Sequence, residues 1–333
     1  MTTPISLDGA LRLGHWGVIR ARGADAARFL QGQLTNDVVT LGLLQTRLAG
    51  FCSAKGRLQA SFVVWKPAPD DVLLACSASV LPATLKRMSM FVMRAQCKLT
   101  DATDELPLWG VAGESARRLM PDMAVGEKRD TEAGAWFRLP DVGGGVCGGV
   151  GGGVDGGLGV VVRGVLAAPA SDARPAVLAD APGIAPDAWR LLEVRSGIPV
   201  IEAATVGHFV PQMLNYELVG GVDFQKGCYP GQEVVARSQY RGTVKRRMFL
   251  FDIDAEIAAP GQEVFHSADP GQPAGMVVNA APHGDGVGSS ALVEVKLAAL
   301  ETGSLHLGSA AGAGLRRAEL DYTIPTDALL PAA

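Results

Sequence analysis

A single run of eight residues, 226–233, brings together side chains of five chemical kinds. It contains an amine, a thiol, a phenol, an amide and a carboxylate among small residues: Lys226, Gly227, Cys228, Tyr229, Pro230, Gly231, Gln232 and Glu233. Glycine lets a backbone approach a ligand closely, and proline fixes the loop. A helix is predicted from about Gly231, and the amides of its first turn attract anions. The run therefore indicates a ligand-contacting loop; a tight turn with solvated polar side chains stays open as the alternative.

The thiol of Cys228 is the candidate catalytic group in this run. Beside Lys226 and a helix N-terminus, its pKa is expected to fall, which favours the reactive thiolate. The alternative is a small buried side chain that fills a tight turn.

A run of basic residues follows the eight-residue run. Residues 234–251 contain five basic side chains and no acidic one: Arg237, Arg241, Lys245, Arg246 and Arg247. Such a run is often only a solvated face of the protein. It also attracts anions, and the tail of a small ligand and the phosphates of RNA are both candidates.

The elements that position these residues are predicted from periodicity and turn signals. Helices are predicted at 24–34, at 81–94 and from Asp187 to Arg195, and shorter ones at 115–120, 211–219 and 231–240. A hairpin joins 61–65 to 72–76, and short antiparallel strands follow Gly242. Residues 143–159 hold 11 glycines and satisfy a dinucleotide-binding pattern at 151–156, but the absence of a following helix pattern favours a flexible loop.

Composition excludes several classes of protein. The 333 residues predict two or three domains, and 48% hydrophobic residues support a sizeable core. Thirty basic against 34 acidic residues give a net charge of −4, which excludes a strongly basic nucleic-acid binder. No membrane span or secretory signal is expected, and five dispersed cysteines favour reduced thiols in the cytoplasm. The isolated histidines and cysteines predict no metal site.

The eight-residue run resembles the signature of the YgfZ-type folate-binding proteins, relatives of the glycine-cleavage T-protein, an aminomethyltransferase. Three further segments are similar to that family: Phe-Leu-Gln-Gly-Gln-Leu-Thr-Asn-Asp at 29–37, Leu-Glu-Val-Arg-Ser-Gly-Ile-Pro at 192–199 and Phe-Val-Pro-Gln-Met-Leu-Asn at 209–215. The resemblance implies an α+β fold in a three-domain ring around a central funnel. It places a discontinuous first domain at 1–50 plus 186–242, a second α+β domain at 51–185 and a small antiparallel β-barrel at 243–333.

The resemblance also implies that a reduced folate, tetrahydrofolate or a derivative, is the ligand. Glu193 occupies the position where relatives place a carboxylate that accepts the pterin N–H groups in bidentate fashion. Tyr229 or Phe209 is expected to supply an aromatic wall. The remaining expected folate-binding residues are Lys226, Gln212, Asn215 and Arg237.

The T-protein carries an essential aspartate in a segment that matches residues 53–61 here. Ala60 and Ser61 stand at that place, and neither is a carboxylate acid or base, which argues against aminomethyl transfer. The resemblance implies instead an accessory role in iron–sulfur cluster assembly and, through it, in tRNA modification, with iron–sulfur proteins as partners. The alternatives are a folate-dependent one-carbon transferase and a protein that binds tRNA directly through the basic run.

Overall fold

Three antiparallel sheets contain most of the regular secondary structure in the computed structural model, which describes residues 6–143, 160–171, 173–240, 244–254, 256–284 and 286–325. The strands are β1 Gly9–Arg12, β2 Trp16–Arg22, β3 Thr46–Cys52, β4 Leu58–Ala68, β5 Asp71–Ser77, β6 Lys98–Asp101, β7 Leu108–Ala112, β8 Lys128–Thr131, β9 Gly134–Val142, β10 Val161–Ala167, β11 Arg246–Ile253, β12 Glu263–His266, β13 Asp269–Pro282, β14 Ser289–Lys296, β15 Leu305–Leu307 and β16 Leu315–Ala318. The helices are α1 Ala26–Gln31, α2 Leu81–Ser89, α3 Gly113–Leu119, α4 Pro186–Arg195 and α5 Gln232–Tyr240, with 3₁₀ turns at Ala176–Leu178, Ala203–Thr205, Pro211–Leu214 and Leu297–Leu300.

The first sheet has the strand order β3-β4-β5-β2-β6 and contains the predicted hairpin. Every residue of β5 is buried, as expected of a central strand rich in Val, Leu and Ala. Ala68 pairs with Asp71, so Pro69 and Asp70 form a two-residue loop. The ladder shifts register between Trp65 and Ala68, where Pro67 has no N–H to contribute.

The second sheet, β1-β7-β10-β9-β8, carries an irregularity that matters for the site. Val161 pairs with Val142 but Arg163 pairs with Leu139, so β9 holds one extra residue at Pro140 and Asp141. Such a bulge bends the strand and redirects nearby side chains.

The third sheet, β15-β12-β13-β14-β11-β16, lies in the C-terminal part of the chain. An isolated bridge joins His306, in the edge strand β15, to Gly314, next to the other edge strand, β16. The sheet is therefore curled. Its closure into a barrel, and the division of the chain into three domains, stay predictions.

Helix α4 lies in the largest hydrophobic core, which all three sheets share. Trp189 and Leu192 of α4 are fully buried among core residues such as Trp65, Phe137 and Leu292. Gly110 of β7 lets Trp189 approach, because a β-carbon there would lie 2.8 Å from the indole ring. Glu193 is thereby carried into the interior at the point where the three sheets meet.

The α+β prediction is confirmed in its coarse form, since the chain is mixed and mostly sheet. The helices are shorter than predicted: α1 has six residues, and α2 ends at Ser89 rather than 94. Asp187 was expected to cap α4, but Ala185 is the N-cap because Pro186 is preset for the first helical position. The helix predicted at 211–219 is a 3₁₀ turn ended by Asn215, whose φ of 56° is left-handed. Residues 144–159 of the predicted glycine-rich loop lie outside the described residues.

Candidate functional site

A cavity of about 240 Å³ opens between the first two sheets, α4 and the segment after Asn215. Trp16 supplies an aromatic side chain at its wall, while Phe62 and Tyr216 are lining residues whose rings are fully buried, and aliphatic residues of both sheets complete the lining. One carboxylate, that of Glu193, lines it. A largely apolar cavity with a few polar groups is the usual form of a small-molecule site.

The carboxylate of Glu193 is held by three nitrogen donors. Trp16 Nε1 donates to Oε1 over 2.7 Å, and Trp189 Nε1 donates to the same oxygen over 2.8 Å. His15 Nε2 lies 3.1 Å from Oε1 and 3.0 Å from Oε2. Because an ionised carboxylate only accepts, the His15 Nε2 atom carries the proton. Oε1 therefore accepts from both indoles, and the His15 N–H is shared between Oε1 and Oε2.

Glu193 is ionised in this setting. Burial by itself raises its pKa, but the hydrogen bond and charge of His15, the indole N–H of Trp189 and the positive charge of Arg163 outweigh burial, so the pKa is lowered. A buried, ionised and firmly oriented carboxylate is a strong acceptor for ligand N–H groups.

Three arginines also line the cavity, and they differ in their partners. Arg138 donates to the carbonyl oxygens of Leu139 and Arg163 and pairs with Asp141. Arg47 donates to Asp37 O and Thr40 Oγ1. Arg163 donates through Nε to Pro140 O over 2.8 Å.

Strand β4 carries Ala60 and Ser61, the two residues that the resemblance places where the T-protein has its aspartate. Ser61 lines the cavity, while Ala60 is buried on the opposite face of the strand, in the core beneath α1. Ser61 Oγ accepts the backbone N–H of Ile201 over 2.9 Å. A serine hydroxyl engaged in this way supplies a hydrogen-bond acceptor but no carboxylate base.

The eight-residue run packs against the first sheet, and none of its residues lines the cavity. Lys226 is buried; its Nζ donates to Leu34 O over 2.7 Å and to Gln31 O, and lies 4.9 Å from the centre of the Tyr229 ring. Burial lowers the pKa of Lys226 to about 8 and raises the pKa of the Tyr229 phenol. Lys226 thus ties the run to the end of α1.

Gly231 fastens the run to a second point, the turn before β4. Its φ of +81° is left-handed, and a β-carbon would lie 2.3 Å from Ser53 O. Gly227 and Cys228 are exposed, as is Glu233, while Gln232 Oε1 accepts the N–H of Tyr229 over 3.3 Å. Exposure of Cys228 does not fit the alternative of a buried turn-filling thiol.

The amides of Gln212 and Asn215 are used inside the protein. Gln212 Nε2 donates to Val235 O over 2.8 Å, and Asn215 Nδ2 donates to Met248 O over 2.7 Å. Both residues are fully buried, and neither lines the cavity. Phe209 is also buried and lines a different surface pocket. Neither Tyr229 nor Phe209, the two residues predicted to form an aromatic wall, lines this cavity.

The basic run does not form one exposed patch. Arg246 pairs with Glu294 and Arg247 pairs with Glu217, both inside the protein. Arg237 and Lys245 are exposed, and Arg241 lies outside the described residues.

Sequence reasoning missed His15, Trp16 and Arg163. The pair His15-Trp16 offered two adjacent ring N–H donors, and Trp189 precedes Glu193 by four residues, the spacing that places two side chains on one helix face. Arg163 gave no comparable signal, because a lone arginine in a β-prone run predicts only a strand.

The described residues contain neither a cluster of metal ligands nor a helix suited to cross a membrane. No three His, Cys, Asp or Glu side chains converge there as a metal site. None of the helices in that part of the chain has both the length and the apolar character that a membrane crossing needs.

The fold has a counterpart among solved structures. Aminomethyltransferase T of the glycine cleavage system from Bartonella henselae matches with a TM-score of 0.68 and 14% identity, over 92% of this chain and 84% of that one. The GCVT N-terminal domain family also matches residues 9–145. The chain therefore has the fold of the glycine-cleavage T-protein.

Sequence comparison identifies the family to which the chain belongs among proteins of this fold. A tRNA-modifying protein YgfZ from Shigella boydii is 31% identical over 248 residues, which cover 72% of this chain and 70% of that protein. A YgfZ from Escherichia coli is 30% identical with the same coverage, and an uncharacterised protein from Haemophilus influenzae is 27% identical over 263 residues, 76% of this chain and 77% of its own length. The chain belongs to the YgfZ family.

Proposed function

We propose that this chain binds a reduced folate in the cavity beside Glu193 and that it serves tRNA modification as an accessory protein of iron–sulfur cluster assembly or maintenance. The observation that carries the binding proposal is the ionised Glu193 carboxylate, held by three ring N–H donors at the wall of a mainly apolar cavity. When bound, tetrahydrofolate is a carrier of one-carbon units.

The cavity suits a pterin in two respects. Trp16 offers aromatic surface to a flat heterocycle. The proposal assigns an N–H of the pterin edge to Glu193 Oε2, because Oε1 already accepts from two indoles whereas Oε2 has only its share of the His15 N–H. The carboxylate therefore recognises the pterin through one oxygen rather than in the bidentate way expected from the sequence.

The eight-residue run acts on the cavity indirectly in this proposal. Gly231 packs on the turn at Ser53, and that turn leads into β4, which carries Ser61 to the cavity wall. Lys226 and Tyr229 hold the run against α1, and Gln212 and Asn215 hold the segment that precedes Tyr216. Arg237, exposed on α5, stands as a candidate for the anionic tail of the folate.

The link to tRNA modification comes from the relatives, which carry the name tRNA-modifying protein YgfZ. Aminomethyl transfer is not part of the proposal, since neither Ala60 nor Ser61, which the resemblance places at the aspartate of the transferase, carries a carboxylate. The exposed thiol of Cys228 stays the candidate catalytic group.

Calorimetric titration with tetrahydrofolate tests the binding proposal. Wild type is expected to bind, and Glu193→Gln is expected to bind about ten- to a hundredfold more weakly, because hydrogen bonds to a charged group contribute ~1.5–3 kcal/mol. The matched control is Glu202→Gln, another partly buried carboxylate, which pairs with Arg190 and does not line this cavity. Equal affinity of wild type and Glu193→Gln would refute the role of Glu193, and no binding by wild type would refute the folate proposal itself.

A further inference from the structure

Arg163 is a buried cation whose guanidinium is only partly used by the protein. Its side chain is 3% exposed and lines the cavity that Glu193 also lines. Nε donates to Pro140 O over 2.8 Å. Within the described part of the chain, the two terminal nitrogens of Arg163 have no hydrogen-bond acceptor and no ion-pair partner.

The other two arginines of the cavity show the contrast. Both terminal nitrogens of Arg138 are used, on backbone oxygens and on Asp141, and Nη1 of Arg47 donates to Asp37 O and Thr40 Oγ1. Arg163 is near enough to Glu193 for their charges to interact, yet the two side chains form no ion pair within 4.0 Å. The terminal nitrogens of Arg163 are not among the buried atoms that lack a partner, so their four N–H groups are accessible from the cavity and available to an acceptor there.

A bulge in β9 lies beside Arg163 and affects the direction of its side chain. Pro140 and Asp141 of the bulge lie opposite Val162, next to Arg163, and the carbonyl of Pro140 accepts from Arg163 Nε. Bulges that redirect a side chain are common beside binding sites. Burial lowers the pKa of Arg163 to about 10, so the side chain remains a cation near neutral pH.

We infer that Arg163 is a specificity-determining residue that donates to a carbonyl oxygen of the ligand, while Glu193 accepts an adjacent N–H. The cavity thus selects a heterocycle with a lactam edge, an N–H beside a C=O, over one that carries an amino group in place of the oxygen. For the reduced folate of the proposed function, on which this inference rests, the selected atom is the 4-oxo oxygen of the pterin.

Two probes that differ at this atom test the inference. Tetrahydrofolate carries the 4-oxo group, and tetrahydroaminopterin carries a 4-amino group that donates where the oxygen accepts. The quantity to measure by calorimetry is the ratio of the two dissociation constants, 4-amino over 4-oxo. In Arg163→Leu this ratio is expected to fall by about tenfold or more relative to wild type, because the charged donor no longer penalises the amino group.

A second variant covers the case in which Arg163→Leu does not fold. Arg163→Gln offers an amide oxygen that can accept from the 4-amino group, so its ratio is expected to fall as well. Arg47→Leu removes a positive charge from the same cavity and is expected to keep the wild-type ratio, since Arg47 Nη1 is directed to Asp37 O and Thr40 Oγ1.

Failure of the inference differs from failure of the proposed function. If wild type binds neither probe, the folate proposal fails and the inference falls with it. If wild type binds tetrahydrofolate but both Arg163 variants keep its ratio, or lose affinity for the two probes equally, Arg163 does not contact the 4-position and the inference alone is overturned.

Discussion

The indole Nε1 of Trp16 donates to Glu193 Oε1 over 2.7 Å, although 177 residues separate the two in the chain. Trp16 belongs to β2 of the first sheet, and Glu193 belongs to α4 in the shared core. The bond couples the orientation of the candidate ligand-binding carboxylate to the packing of that helix on that sheet. Mutations at the packing surface are therefore expected to reach the site.

Trp16→Phe keeps an aromatic ring but removes this donor. The folded-state pKa of Glu193 is lowered, so its contribution to stability is complete above the unfolded-state pKa of ~4.3 and is lost as pH falls through the folded-state pKa. We expect Trp16→Phe to raise the pKa of Glu193 and to shrink this acid-dependent loss, with a cost of about 1–2 kcal/mol near neutral pH. Urea unfolding of wild type and variant from pH 7 down to about 3 measures both effects.

Trp65→Phe is the control for that experiment. Trp65 is fully buried, and its Nε1 has no hydrogen-bond partner, so the substitution removes ring volume but no hydrogen bond. Its stability is expected to fall with an unchanged pH dependence. The same acid dependence in wild type, Trp16→Phe and Trp65→Phe would contradict the role given to Trp16.

Gly231→Ala is expected to destabilise the protein by about 1–3 kcal/mol. The left-handed φ of +81° strains any residue with a β-carbon, and that carbon would lie 2.3 Å from Ser53 O. Gly227→Ala, four residues earlier in the same run, is the matched control because no atom lies within 4 Å of its added β-carbon. Urea midpoints compare the two; similar values would show that the contact with Ser53 is not a fixed feature of the fold.

Lys226 predicts a pH effect on the alkaline side. Its folded-state pKa is about 8, whereas an unfolded lysine titrates near ~10.4. Between these values the unfolded state binds more protons, so the stability of wild type relative to Lys226→Met is expected to rise as the pH increases from about 8 to 10. The difference in unfolding free energy between the two proteins, measured at several pH values, checks the sign.

Lys55→Met serves as the control, since Lys55 is exposed on the turn beside Gly231. Its stability difference from wild type is expected to stay flat over the same pH range. If the difference in unfolding free energy between wild type and Lys226→Met also stays constant with pH, Lys226 is not held in solution in a buried environment that favours its neutral form.

Direct binding of tRNA through the basic run is expected to be weak. Arg246 and Arg247 are neutralised by Glu294 and Glu217, which leaves Arg237 and Lys245 as the described exposed cations of the run. Arg237→Ala combined with Lys245→Ala is expected to change the dissociation constant for tRNA by less than about threefold at ~0.15 M salt. Two cations make few phosphate contacts, and salt at that concentration screens these contacts.

A filter-binding titration of tRNA measures this, with Arg94→Ala combined with Lys98→Ala as a control that removes two exposed cations elsewhere. A loss of more than about tenfold that is confined to the Arg237 and Lys245 variant would instead favour direct recognition of RNA.

Local patterns predicted most elements because they depend on near neighbours. The turn at Pro69-Asp70 and the apolar run of β5 specify their hairpin without help from the rest of the chain. Element ends were less predictable: α1 ends at Gln31 and α2 at Ser89, although Leu34 and Val92 beyond these ends still pack in the same core. The left-handed Asn215, which ends the Pro211–Leu214 turn, is held by bonds to Met248 and Tyr322 from the C-terminal part of the chain.

The candidate site also combines features that the sequence predicted with features that only the tertiary structure shows. Residue types singled out the run 226–233, and the resemblance added Glu193 and the family, because these depend on residue identity and local spacing. Only the tertiary structure decided that Glu193 lines a cavity while the run does not. It also decided that Trp16 and Arg163 line the same cavity and that His15 contacts Glu193. The physical reason is that contacts between residues more than a hundred positions apart arise from the packing of α4 against three sheets, and no local pattern of side chains encodes that arrangement.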